Sequence, residues 1–250
     1  MPISIRRLAL ALAATVVTSG TAAPTYEVVR STGDHAFMFS FRQASQAAFT
    51  APQENTLSAW QTLPFPWKFF GQGVDGYFIS DNGYLTFDRA AKTSVAANRA
   101  LPDPAAPRAS IFAFWTDLRL EAGHGPWRNT VHTATLGQAP DRVHVVYWMS
   151  VLPPGGAFET AAFSFALALY ENGEFEVIFT SGRRGVSVKA TVGATSPDGK
   201  MAVQAEGPAF DFPAVGFGGD DDRNYRFRPV DKGPVSAGGR RNLGLVPFVE

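Results

Sequence analysis

Glu174 and Glu176, one residue apart in GEFEVIF, are the first side chains whose type and spacing could do chemistry. On a strand they share a face at about 6.6 Å, between the carboxylate separations of retaining and inverting glycosidases. Phe175 lies between them and Glu171 belongs to the adjoining turn, so the plainer reading is an outward polar face beside a hairpin tip. His132 and His144 fall on neighbouring strands of TVHTATLGQAPDRVHVVYW and both face outward if the connecting loop keeps an even register. Two imidazoles could begin a metal site, but no third ligand is identifiable, with His124 in a Gly-rich loop. Acidic loops offer oxygen ligands for calcium at Asp81, Asp88, Asp117 and above all Asp220, Asp221 and Asp222. Their spacing matches no EF-hand and Arg223 stands beside the run, so a solvated acidic loop competes with a calcium site.

Five tryptophans raise the question of ligand stacking. Trp115, inside the apolar run IFAFWTDL, reads as core. Trp148 falls on the polar face of its strand by parity, and Trp127 lies in a Gly/Pro loop. These two are the aromatic side chains placed to bind a ligand, with burial under a loop or the chain's tail as the competing reading. Gly71 to Gly76 spell GxGxxG, but a strand (YFIS) follows where a dinucleotide site needs a helix, so a bend between strands is expected. No GxSxG elbow is present for a serine nucleophile.

The elements that would position these groups are strands. In AAFSFALALY the odd positions Phe163, Phe165, Leu167 and Leu169 are large and apolar, and the even ones are small. In GEFEVIF the inward set is Phe175, Val177 and Phe179; in DRVHVVYWMSV it is Val143, Val145, Tyr147 and Met149. Alternation of this kind marks an antiparallel sheet with one face on a core. Two Asn-Gly pairs mark hairpins, and face matching requires three-residue loops rather than two-residue ones. Asp81-Asn82-Gly83 then sets Ile79 opposite Leu85, and Glu171-Asn172-Gly173 sets Leu169 opposite Val177. Both Gly83 and Gly173 should adopt the left-handed conformation. A four-residue turn, Ser196-Pro197-Asp198-Gly199, faces Val192 towards Val203. Helical pattern is scarce, with a turn or two expected between Ala90 and Ala100.

Composition bounds what such a chain can do. Its 250 residues carry 24 Gly, 18 Pro, 21 Phe and no Cys, and 22 basic residues balance 22 acidic ones. That balance argues against a nucleic-acid binder, and the missing cysteines exclude disulfides, thiol catalysis and thiolate zinc sites. Residues 1–22 have the layout of a secretory signal peptide: Arg6 and Arg7, an apolar stretch from Leu8 to Val17, then small residues. The apolar run is too short for a comfortable membrane span, and none follows. The expected organisation is a signal peptide over 1–22, a β-sandwich domain over 23–229 and a tail over 230–250. The expected location is periplasmic or extracellular.

Four blocks in order carry a family resemblance. They are LPFPWKFFGQGVDGYFISDNGYLTFD, ANRALPDPAAPRASIFAFWTDL, RVHVVYWMSV and FALALYENGEFEVIFTSG, and together they cover Trp60 to Ala194. The chain resembles the nidogen-like (NIDO-like) extracellular β-sandwich. Departures from that pattern are Trp67 for Phe, Phe70 for Tyr, and Thr116 within Phe-Trp-Thr-Asp. The resemblance implies an interaction module without a family-wide active site. It also implies structural roles for Asn82 and Gly83 in a turn, Phe87 and Trp115 in a core, and Asp117 in holding a loop. The expectation is an all-β, jelly-roll-like antiparallel sandwich that acts without catalysis and binds an extracellular protein or glycan. A carbohydrate-active enzyme using Glu174 and Glu176 and a calcium-stabilised structural domain are the alternatives.

Overall fold

The computed structural model describes residues 25–31, 35, 37–49, 53–122, 128–182, 187–213 and 224–230. The signal peptide expected over 1–22, His124, Trp127, the aspartates 220–222 and the chain beyond Val230 lie outside the described residues. In chain order the elements are β1 (Thr25–Ser31), α1 (Phe37–Ala44), β2 (Gln46–Ala47), β3 (Gln53–Glu54), β4 (Gln61–Phe69), β5 (Gln72–Ser80), β6 (Tyr84–Thr86) and β7 (Ser110–Trp115). They continue with β8 (Arg119–Leu120), β9 (Thr130–Leu136), β10 (Val143–Val151), α2 (Phe158–Ala161), β11 (Phe163–Tyr170) and β12 (Phe175–Ser181). The last three are β13 (Lys189–Thr195), β14 (Ala202–Asp211) and β15 (Asn224–Val230).

These strands form an all-β sandwich. One sheet runs β1-β15-β12-β11-β10-β9-β2 and the other β14-β13-β7-β6-β5-β4, with β3 and β8 as a small separate ribbon. Consecutive strands are neighbours over β9 to β12 and over β4 to β7, so each sheet is built around a meander. Between the sheets lies one large apolar core that includes Phe163, Phe165, Leu167 and Leu169 from β11 and Phe175, Val177 and Phe179 from β12. Tyr77, Ile79, Leu85, Ile111 and Val192 face them from the second sheet. Each buried side chain of this size contributes roughly 1.5–3 kcal/mol, and offset ring pairs add to it. Phe175 stacks on Phe227 at 4.3 Å and Trp148 on Phe165 at 5.1 Å.

The faces of β10 differ from the expectation. Its odd residues Val143, Val145, Tyr147 and Met149 belong to a second apolar cluster with Ala166 and Ala168, on the side where Phe41 of α1 packs. Its even residues Val146 and Trp148 enter the main core. The reason is the pairing: Trp148 lies opposite Phe165 and Val146 opposite Leu167, and opposed residues share a face. Both faces of β10 are apolar, so parity within the strand could not tell core from helix-covered surface. The small even residues of β11 are where α1 comes close to the sheet.

The hairpins bear out the loop lengths and shift two of the registers. Ile79 opposes Leu85, and Gly83 has φ 78°. A Cβ on Gly83 would run into the Phe114 carbonyl, so only glycine closes this loop. The Glu171-Asn172-Gly173 loop closes with Gly173 N–H donating to the Tyr170 carbonyl at 2.9 Å, and Gly173 has φ 93°. Leu169 there opposes Phe175 rather than Val177, a two-residue correction that keeps the same faces together. At the third turn Gly199 N–H donates to the Ser196 carbonyl at 2.9 Å. Val203, however, opposes Ala194, and Val192 opposes Glu206, because the first strand pair is Thr195 with Ala202, two residues further along than the expected register, and the ladder then bulges.

No helix forms between Ala90 and Ala100. That segment crosses the outer face of the second sheet. The Trp115 indole N–H donates to the Val95 carbonyl at 2.7 Å, and Val95 N–H donates to the Tyr84 hydroxyl at 2.9 Å. Backbone groups committed to aromatic side chains outweigh the helix propensity of the alanines. Trp115 is therefore buried, as expected, but in a satellite core with Tyr84 and Phe112.

Candidate functional site

The Asp81-Asn82-Gly83 loop sits inside the protein: Asp81 and Asn82 are fully buried. Three chain segments converge on it. Asn82 donates its side-chain amide to Asn55 Oδ1 at 2.9 Å and to Ser94 Oγ at 2.7 Å, and its Oδ1 accepts from Leu118 N–H at 2.8 Å. Its backbone N–H donates to Ser80 Oγ at 3.0 Å. Ser80 and Ser94 share a hydrogen bond at 2.5 Å. One asparagine thus ties the turn to residues 55, 94 and 118, which supports the structural role that the resemblance implied.

Asp81 is different. Its Oδ1 accepts from Thr56 N–H at 3.1 Å, and its Oδ2, although buried, has no hydrogen-bond partner. Burial pushes its carboxyl up to about 6, against the hydrogen bonds of Thr56, Ser94 and Asn82, and the charge of Asp117 pushes the same way. Asp117 is itself raised, by burial and by the charge of Glu54. Ser94 and Asn55 carry no sequence signal of their own; nothing in an Ala-rich strap marks one serine as a partner of a distant turn.

Glu174 and Glu176 do share a face, and the fold covers it. Glu176 is only 1% exposed. It accepts from the Tyr170 hydroxyl at 2.7 Å and lies 3.1 Å from His35 Nε2 and 3.5 Å from Arg226. Burial alone would raise its carboxyl, but bonds from His35, Ser31 and Tyr170 hold it below the ordinary range. Arg226 binds Glu174 at 2.5 Å while lying over the Tyr170 ring at 4.0 Å. A glycosidase acid must hold a proton near neutral pH. Glu176, held below the ordinary carboxylate range by His35, Ser31 and Tyr170, does not.

The two histidines face opposite sides of their sheet, which corrects the shared outward face. His132 opposes Tyr147 and lies 3.4 Å from Ser45 Oγ just past α1. His144 opposes Thr135 and points between the sheets, where Tyr77 bonds its Nε2 and Thr135 its Nδ1 at 2.9 Å. The β9–β10 loop sets an odd register, so two even-numbered residues cannot share a face. Burial depresses His144 to about 4. Among the described residues no group of three or more His, Asp or Glu is placed to hold a metal by itself. Asp88 is taken by Arg108 at 2.7 Å.

Trp148 is fully buried, and its indole N–H donates to the Ser80 carbonyl at 2.9 Å. This corrects its placement on the polar face: it is a cross-sheet bond, not a surface for stacking. Trp60, which the sequence did not single out, keeps partial exposure, with Phe78 against its edge and Arg89 over its ring at 4.1 Å. Gly76 makes the room, since a Cβ there would strike the Trp60 indole. Among the described residues no helix is long and apolar enough to cross a membrane.

A family model described as NIDO related matches residues 25–214. No curated protein and no solved structure matches the chain.

Proposed function

The chain belongs to the NIDO-related family, and from that premise we propose that it is an exported, non-catalytic module that binds a protein or glycan outside the cytoplasm. The observation that carries this reading is the state of the Glu174–Glu176 pair. The carboxylates spaced for glycoside chemistry are engaged by Arg226, Tyr170 and His35, and Glu176 is out of reach of a substrate. What remains for function is binding. The leader-like residues 1–22 support export to a periplasm or beyond, and the lack of cysteine suits a fold held by packing in any redox setting. Trp127 stays the aromatic side chain to test for ligand contact, and Trp60 beside Arg89 joins it.

The test compares the protein with its Trp127→Ala, Trp60→Ala and Glu174→Gln variants on a glycan panel and on intact cell envelopes. Saturable binding that a tryptophan variant weakens at least tenfold and Glu174→Gln leaves intact is the expected result. Glycan hydrolysis abolished by Glu174→Gln would instead establish an enzyme.

A further inference from the structure

Two segments, 54–56 and 116–118, meet at the buried β5–β6 loop, and each of the three stretches of chain carries a carboxylate. Asp81 exchanges backbone and side-chain bonds with Thr56: its N–H donates to the Thr56 carbonyl at 3.2 Å, and its Oδ1 accepts in return at 3.1 Å. Glu54 is two residues before Thr56. On the other side, Thr116 N–H reaches the Asn82 carbonyl at 3.3 Å and Leu118 N–H the Asn82 Oδ1 at 2.8 Å. Asp117 stands between those two anchors. The nearest arginine in sequence, Arg119, is directed to Glu121 at 2.8 Å and to the Gly156 carbonyl at 3.0 Å. Asp81 Oδ2 is a buried oxygen with no hydrogen-bond partner, in the field of Asp117, which itself lies in the field of Glu54.

We propose that this junction binds a calcium ion, with Asp81 Oδ2 as its inner ligand and Asp117 as its second carboxylate. Native proteins seldom leave a buried carboxylate oxygen unpaired, because desolvation of an ion is costly without a partner. The groups at hand are carboxylates, the Ser94 hydroxyl, backbone carbonyls and solvent. That all-oxygen set suits a hard cation of flexible coordination and excludes soft metals. Since no three carboxylates close on one point, solvent completes the shell, as in calcium modules of modest affinity. The inference is independent of the binding role proposed above.

The experiment uses the full chain, stripped with EGTA and titrated with CaCl2 while thermal unfolding and calorimetric binding are followed. At calcium about a hundred times Kd, the melting temperature is expected to rise by about 5–10 °C. Asp81→Asn should abolish that response while melting no lower than the parent in EGTA, since a neutral amide removes the unpaired charge. Asp117→Asn should weaken calcium binding at least tenfold. A triple variant with Asp220, Asp221 and Asp222 changed to Asn should respond as the parent does. Absence of any response at about 10 mM calcium, or a response that survives Asp81→Asn, overturns the proposal. A response lost only in the triple variant places the ion in the acidic run instead.

Discussion

Asp81 and His144 are buried on opposite sheets, and they titrate in opposite senses. Asp81 has a folded value of about 6 against an ordinary 3.8, so in chelator the folded state holds its proton longer than the unfolded chain. Its contribution is fully present below about pH 4 and is lost as pH rises through 6. His144 is depressed to about 4 from 6.5, so the unfolded chain takes up its proton first. The stability due to its neutral form is present above about 6.5 and lost as pH falls through 4. Each effect is on the order of 3 kcal/mol, and between pH 4 and 6 they oppose one another. Urea unfolding over a pH series in EGTA separates them. Asp81→Asn should lose about 3 kcal/mol more than the parent on acidification from pH 7 to 4, and His144→Gln should lose correspondingly less. A pair of parallel profiles would mean that neither group titrates as placed. The residue scale is also where the sequence was least legible. Aspartate in an Asn-Gly loop has the composition of a solvated turn, and only the arrival of residues 54–56 and 116–118 buries it.

At the scale of elements, helix α1 covers an outer face that the strand pattern left as solvent-facing. Phe41 is 1% exposed, meets the Tyr147 ring at 5.5 Å and packs in the cluster that includes Val145, Ala166, Ala168 and Ile178. Phe41→Ala should destabilise by about 3–5 kcal/mol. Hydrogen exchange should show the loss concentrated in α1 and the outer sides of β9 and β10, with the β5–β6 and β6–β7 pairs protected as in the parent. Where alternation was strict, as in β11 and β12, the inward set was readable because one face is large and the other small. In β10 both faces are apolar, so only the pairing with β11 decides which one enters the sandwich. The Asn-Gly loops were readable for a local reason: a left-handed glycine and face matching are properties of a few adjacent residues.

For the whole molecule, closure depends on ends distant in sequence. β1 pairs along its full length with β15, from Thr25 opposite Val230 to Ser31 opposite Asn224. Tyr26 carries that edge into the core, against Phe175 at 5.0 Å, Phe70 at 5.2 Å and Phe69 at 6.1 Å. A chain lacking residues 25–31 would bare β15 as an open edge and leave a void where Tyr26 sat. It should unfold at a markedly lower urea concentration and form higher-order species on size-exclusion chromatography, while the intact chain elutes as a discrete species. Equal midpoints for the two chains would show that β1 is a dispensable cover. With no cysteine in the chain, no covalent tie can substitute for this pairing.

The amino-acid order by itself determined the class of fold, the family blocks, the hairpin loops and most inward-facing aromatics. Each follows from short-range rules: period-two alternation, turn chemistry and conformations only glycine adopts easily. Tertiary structure alone decided which candidate groups meet water. Trp148 and Glu176 are polar-capable side chains on strands that look half-exposed. Their burial depends on a facing sheet in one case, and on β15 and the His35 side chain in the other. Desolvation and pairing, which set whether a carboxylate is an acid, a salt-bridge anchor or an unfilled ligand, come from neighbours brought together across the sandwich. Strand parity carries no information about those neighbours.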